Sequence, residues 1–169
     1  MPIDPAEIQM FLSGGAGNAD PDLSLGGVRS TTQLVPATLD NLFPEVTPTQ
    51  AQNGAVQYRA VYIFNNDPAL TLQDAATFLQ QVSASPDTEV ALSVATEGIN
   101  TTIQTIPNDT TAPAGQTFSE PTTFPTGLPL GNLPNAQFIG LWVRRTVTAG
   151  ASALAIDNTI IRVQGGTAQ

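Results

Sequence analysis

The sequence contains no cysteine, no histidine and no lysine, and its five basic residues are all arginine. Each absence excludes a chemistry. Without cysteine no disulfide can form, so packing or assembly must supply stability, and the redox compartment cannot be read from thiol usage. Without histidine neither a Ser-His-Asp nor a Cys-His site can be built, and zinc loses its usual ligands. Without lysine there is no P-loop and no Schiff base. Charge is scarce too: 11% of residues carry it, against about 25% in an average domain. The net charge of −9 and pI near 4.1 oppose DNA, RNA and anionic membranes, all of which call for basic patches. No apolar run approaches the ~18 residues of a membrane helix. The opening MPIDPAEIQMFLSGG lacks the basic n-region of a secretory signal, so the chain reads as one made in a cytoplasm and beginning near Met1. No cofactor, metal, nucleic acid or membrane is expected.

What the 169 residues do contain is Gly (14), Pro (14) and Thr (22), a composition suited to strands and turns. The first 55 residues read as an extended N-terminal arm. A short apolar patch, Ile8 to Leu12, is followed by the turn-rich SGGAGNADPDLSLGG, and VPATLDNLFPEVTPTQAQNG then offers only scattered apolar anchors. Such a segment lies extended over a domain, its own or a neighbour's. Residues 56–169 read as an antiparallel β-sandwich, Ig-like or jelly-roll-like. Gln57 to Phe64 stops at the turn NNDP. Glu89 to Val94 alternates, with Val90, Leu92 and Val94 inward and Glu89, Ala91 and Ser93 outward. Ile99, Ile103 and Ile106 mark a Thr-rich strand pair or bulged strand. Five prolines between Pro113 and Pro134 keep strands there short or edge-like. Ala136 to Thr148 is the longest strand candidate, with Ile139, Leu141, Val143 and Val147 on one face and Phe138, Trp142 and Arg144 on the other. Thr159 to Gln164 closes the pattern. Leu72 to Val82 fits helix and strand spacing alike; its neighbours and the SASPD turn favour strand.

Candidate chemistry is thin. Asn18, Asp20, Asp22 and Ser24 alternate oxygens as a calcium loop would, but the closing Glu is missing and Pro21 interrupts, so Asx turns explain them better. Glu45, Glu89, Glu97 and Glu120 could supply an acid–base pair, yet nothing in the sequence brings two together. Trp142, Tyr58 and Tyr62 could form a sugar platform, although strand aromatics more often fill a core. Arg144 and Arg145 are consecutive in a strand and point to opposite faces; one is expected to pair internally and the other to reach a neighbouring subunit. The sequons at Asn100 and Asn108 carry no weight in so Thr-rich a chain.

LPLGNLPNAQFIGLWVRRTVTAGASA followed by NTIIRVQGGT resembles the small virion structural proteins of tailed bacteriophages. In that group a G-[DN]-L turn leads into a W-[VL]-R-R-T-V strand, an AGA loop and a closing strand. Here these are Gly131-Asn132-Leu133, Trp142 to Val147, Ala149-Gly150-Ala151 and Ile160 to Val163. FLSGGAGNADPDLSLGG, DNLFPEV and QYRAVYIFN are similar too. The resemblance implies a β-sandwich virion component with no catalytic residues, and a strand at Leu72 to Val82. The expectation is a capsid decoration (cement) protein on the head surface. It would bind the major capsid protein and copies of itself, with a trimer at local three-fold positions as the candidate form. Alternatives are a neck, tail or baseplate protein, and a carbohydrate-binding or adhesion module. Contacts are expected from Ile8, Met10, Phe11, Leu12, Leu39, Leu42 and Phe43, whose segments offer few local partners, together with Arg144 and Arg145.

Overall fold

The computed structural model describes residues 3–152 and 157–168. In chain order its elements are β1 (Ile8–Leu12), β2 (Gly26–Gly27), α1 (Pro48–Asn53), β3 (Ala55–Asn65), β4 (Thr71–Gln81), β5 (Thr88–Val94), β6 (Ile103–Thr105), β7 (Leu128–Leu133), β8 (Phe138–Val147) and β9 (Ile160–Ala168). They form three antiparallel sheets, ordered β1-β3-β8-β5, β7-β4-β9 and β2-β6. The described residues are all-β apart from α1 and three short 3-10 turns. The ambiguous stretch from Leu72 is strand: β4 is the middle of its sheet, paired on both edges.

β3 and β8 run side by side from Ala55↔Val147 to Phe64↔Phe138, and Ala60 to Phe64 and Phe138 to Val143 within them carry no charged residue and read as near-continuous apolar runs. That pattern belongs to a sheet buried on both faces. Val61, Ile63, Ile139, Leu141 and Val143 point one way and meet Leu72, Leu79, Leu130 and Leu133 of the β7-β4-β9 sheet. Ala60, Tyr62 and Trp142 point the other way and meet Ile103 and Ile106, with Leu25, Phe118 and Phe138 around them. The split of β8 into two faces is therefore as its alternation predicts. The outward assignment of Ala91 and Ser93 is corrected. Both are buried, because the sheet has no solvent face there: the small β2-β6 sheet and the loops flanking it cover the second face.

The boundary expected at residue 55 does not separate two bodies. β1 is a strand of the central sheet, in register with β3 from Ile8↔Asn65 to Leu12↔Val61. Leu12 and Leu42 are both buried in the same cluster as Val61 and Ile63. Ser13 and Ser24 donate their hydroxyls to the Ala60 carbonyl at 2.8 and 2.7 Å, fastening the Gly-rich loop to the unpaired half of the β3 edge. The segment from Ile3 to Gly54 thus lies over its own domain and completes it. α1 went unread in the sequence, although Thr47 and Gln50 make a reciprocal capping box around Pro48, the S/T-x-x-E/Q signature of a helix start.

Candidate interaction surface

The contact residues expected from the sequence separate sharply. Arg145 is buried on the side of β8 that carries Val143 and is fully engaged at its tip. It donates to the Pro44 carbonyl at 2.6 Å and to Gln57 Oε1 at 2.5 Å, and Gln57 in turn donates to Asp109 at 2.7 Å. Arg59, across the strand pair from Val143, is 2% exposed and pairs with Asp22 at 2.8 Å and Asp109 at 3.2 Å. Both guanidinium groups lie over the Phe43 ring, 4.8 Å (Arg145) and 5.6 Å (Arg59) from its centroid. Burial lowers the Arg145 pKa, and the like charge of Arg59 lowers it further. Two buried cations persist here because carboxylates, a carbonyl and an aromatic face surround them. The cluster bolts the loops around Asp22, Phe43 and Asp109 to the central sheet.

Arg144, on the opposite face, is spent on Glu89 and on the Phe118 ring, 5.4 Å away. Of the two adjacent arginines, Arg145 is corrected to an internal role by its burial, while Arg144 pairs within its own chain and stays partly exposed. Leu12 and Leu42 are corrected likewise, being core residues. Ile8, Met10 and Phe43 are partly buried against the same core, and Phe11 packs edge-on to Phe64 with centroids 5.8 Å apart. Only Leu39 of the named set stands out in solvent, 77% exposed, beside Val35 at 61%. Local burial was underestimated because the partners are distant in sequence: β1 is buried by β3, some fifty residues on.

Arg29 and Arg162 were not singled out in the sequence; among the described residues they and Arg145 are the cations without an ion pair. Arg29 lies over Phe64, Phe11 and Phe138 at 4.7, 4.8 and 5.5 Å, a fixed cation on an aromatic bed. Arg162 lies on the exposed row of β9.

Among the described residues, two of the surface clefts lie beside the residues named above. One, of about 390 Å³, is lined by Asp22, Leu25, Pro44, Gln57, Arg59 and residues 107–109; its charges are already paired with one another. The other, of about 290 Å³, lies between residues 36–41 and Asn158, Thr159 and Ile160. With Val35 and Leu39 on the same loop and Ile160 exposed, this second cleft has an apolar rim.

The remaining candidates resolve into structural roles. Asn18 and Asp20 accept from the Asp20 and Asp22 amides at 2.9 Å, Asp22 holds Arg59, and the Ser24 hydroxyl donates to Ala60. These are the Asx turns, with their oxygens taken. Among the described residues no group of three or more Asp or Glu is placed to hold a metal ion. Trp142 and Tyr62 are 0% exposed and Tyr58 packs on Phe118, centroids 5.5 Å apart, so the sugar platform is corrected to core packing. Glu89 and Glu120 do come together, contrary to the sequence reading. The Glu120 pKa is raised by burial, by the charge of Glu89 and by a hydrogen bond to it, and the pair lines neither cleft.

No family model matches this sequence, and neither a curated protein nor a solved structure matches it.

Proposed function

We propose that this chain is a non-enzymatic virion structural protein of a tailed bacteriophage, a capsid decoration protein that binds the outside of the head and stabilises it. The particle class rests on the resemblance carried by Gly131-Asn132-Leu133 and Trp142 to Val147. The body would be of the β-sandwich kind implied by that group, with β7-β4-β9 facing the central sheet.

One observation carries the binding role: Leu39 and Val35 are held outward beside an apolar-rimmed cleft. Their loop is not loose. Asn41 donates to the Val35 carbonyl at 3.1 Å, and Leu42 anchors the loop in the core. Contiguous apolar surface fixed in this way marks a contact site. An acidic remainder keeps decorated particles soluble and repels nucleic acid, and binding the assembled shell stabilises it by mass action.

The test is co-sedimentation of purified protein with heads stripped of it. Leu39→Asp should weaken binding by at least about tenfold, the order expected for a charge placed at a desolvated contact centre, while the melting temperature stays unchanged because Leu39 is exposed. Unaltered binding would move the contact elsewhere. No binding by the wild type would overturn the reading, and binding to tails alone would favour a neck, tail or baseplate position.

A further inference from the structure

Sheet edges are templates for further strands, and folded proteins guard them. Three of the four long edges here are guarded. β1 is covered by residues 30–34: Ser30 donates to the Leu12 carbonyl at 2.8 Å, Leu12 to Thr32 at 3.0 Å and Leu34 to Met10 at 2.8 Å. β5 exchanges bonds with Ser119 at Leu92, 2.8 and 3.0 Å. β7 carries Pro129, which has no donor, and Gly131 at φ +75°, which breaks the edge's regularity. Among the described residues β9 has no such protection. It spans nine residues, about 30 Å, and among the described residues no backbone group hydrogen-bonds to it other than those of β4.

The direction of its free groups follows from β4. The Leu79 amide donates to Pro121 at 2.7 Å, away from β9. A strand residue sends its N–H and C=O to one side and the next residue sends them to the other. Phe78 and Ala76 therefore serve β9, where they face Arg162 and Gln164. Ile161 and Val163 consequently turn their N–H and C=O outward, while their side chains pack on the core.

We propose that the outer edge of β9 is a self-association site, at which two copies of this chain pair antiparallel about a two-fold axis and join their β7-β4-β9 sheets into one. Charge selects a second copy as the occupant. Two chains of net charge −9 repel over most of their surfaces. From Asn158 to Ala168, however, there is no acidic side chain, and one cation, Arg162, is present. Pairing centred on Val163 sets each Arg162 opposite Gln164 of the other copy, so no like charges face each other, and the outward groups of Ile161 and Val163 find partners. An isologous contact of this kind closes at two copies instead of growing a fibre. The pairing holds whether or not the protein joins a phage particle.

The test uses purified protein and no particle. Sedimentation equilibrium of the wild type should show a monomer–dimer equilibrium, and amide exchange should slow with concentration at Ile161 and Val163 but not at Arg162 and Gln164, which β4 already protects. The R162E/Q164E variant places Glu opposite Glu at both cross-strand positions and should weaken the dimer by roughly tenfold. Q164E alone places Glu opposite Arg162 and should tighten it. Both side chains are exposed, so the melting point of the monomer serves as the folding control. A wild type that stays monomeric, or a dimer indifferent to both variants, overturns the proposal; so does pairing with a different protein's strand by a chain that never pairs with itself.

Discussion

Arg145 shows how little a residue's type reveals of its work. In an acidic chain an arginine beside another arginine suggests a hand held out to a partner. Here it is a bolt, donating inward to Pro44 and Gln57 and lying over Phe43. Trp142 teaches the same lesson, since its full burial makes it a core residue of the second face. Glu120 permits a pH test. Its folded pKa lies above the ordinary value because burial, and then the charge and hydrogen bond of Glu89, favour the protonated acid. The folded state therefore binds this proton more tightly than the unfolded state does. That contribution is fully present below the unfolded carboxyl value of about 4.3, and it is lost as pH rises through the raised folded value. Glu120→Gln, which mimics the protonated acid, should melt like the wild type in acid and progressively above it as pH rises from about 4 towards neutrality. A gap that does not change with pH across that window would refute the coupling.

At the scale of elements, the decisive finding is that β1 belongs to the central sheet. Removing residues 1–12 would strip the β3 edge from Val61 to Asn65 and delete Leu12 from the core. One Leu lost from a core costs about 2–5 kcal/mol, and the unpaired strand edge adds to it. Since a domain is stable by only about 5–15 kcal/mol, the truncated chain should be unfolded or close to it in circular dichroism. A truncated protein that melted cooperatively near the wild-type temperature would restore the idea of a detachable arm. β3, β5, β8 and β9 were legible because each pairs a period of two with branched side chains. β4 was legible only by leaning on its neighbours, because Leu72 to Val82 suits either period, and Asp74 at φ +47° adds a bulge that no pattern announces. The place of β1 was not legible, because five apolar residues cannot say which distant strand will take them. The surface was harder still: Leu39 was found, while Val35, Arg29 and the bare edge of β9 depend on what the rest of the fold leaves uncovered.

Over the whole molecule, one sheet buried on both faces explains why so few charges suffice and why no disulfide is needed. Loops that look unstructured in sequence form the second covering layer, and close approach makes glycine obligatory within it. A Cβ on Gly26, at φ +92°, would sit 1.9 Å from the Gln104 carbonyl oxygen. What remains on the outside is acidic, with an apolar rim at Val35, Leu39 and Ile160 and one unguarded strand. That surface suits a protein whose work is to be held in an assembly. The most direct measurement is its copy number in purified phage particles, by quantitative mass spectrometry against the major capsid protein. Glu-directed or chymotryptic cleavage is required, since the chain has no lysine. A decoration protein should be present at a ratio of order one. Its absence from the particle would contradict the virion reading outright, and a few to a few dozen copies would contradict the shell position and place it at the neck or tail.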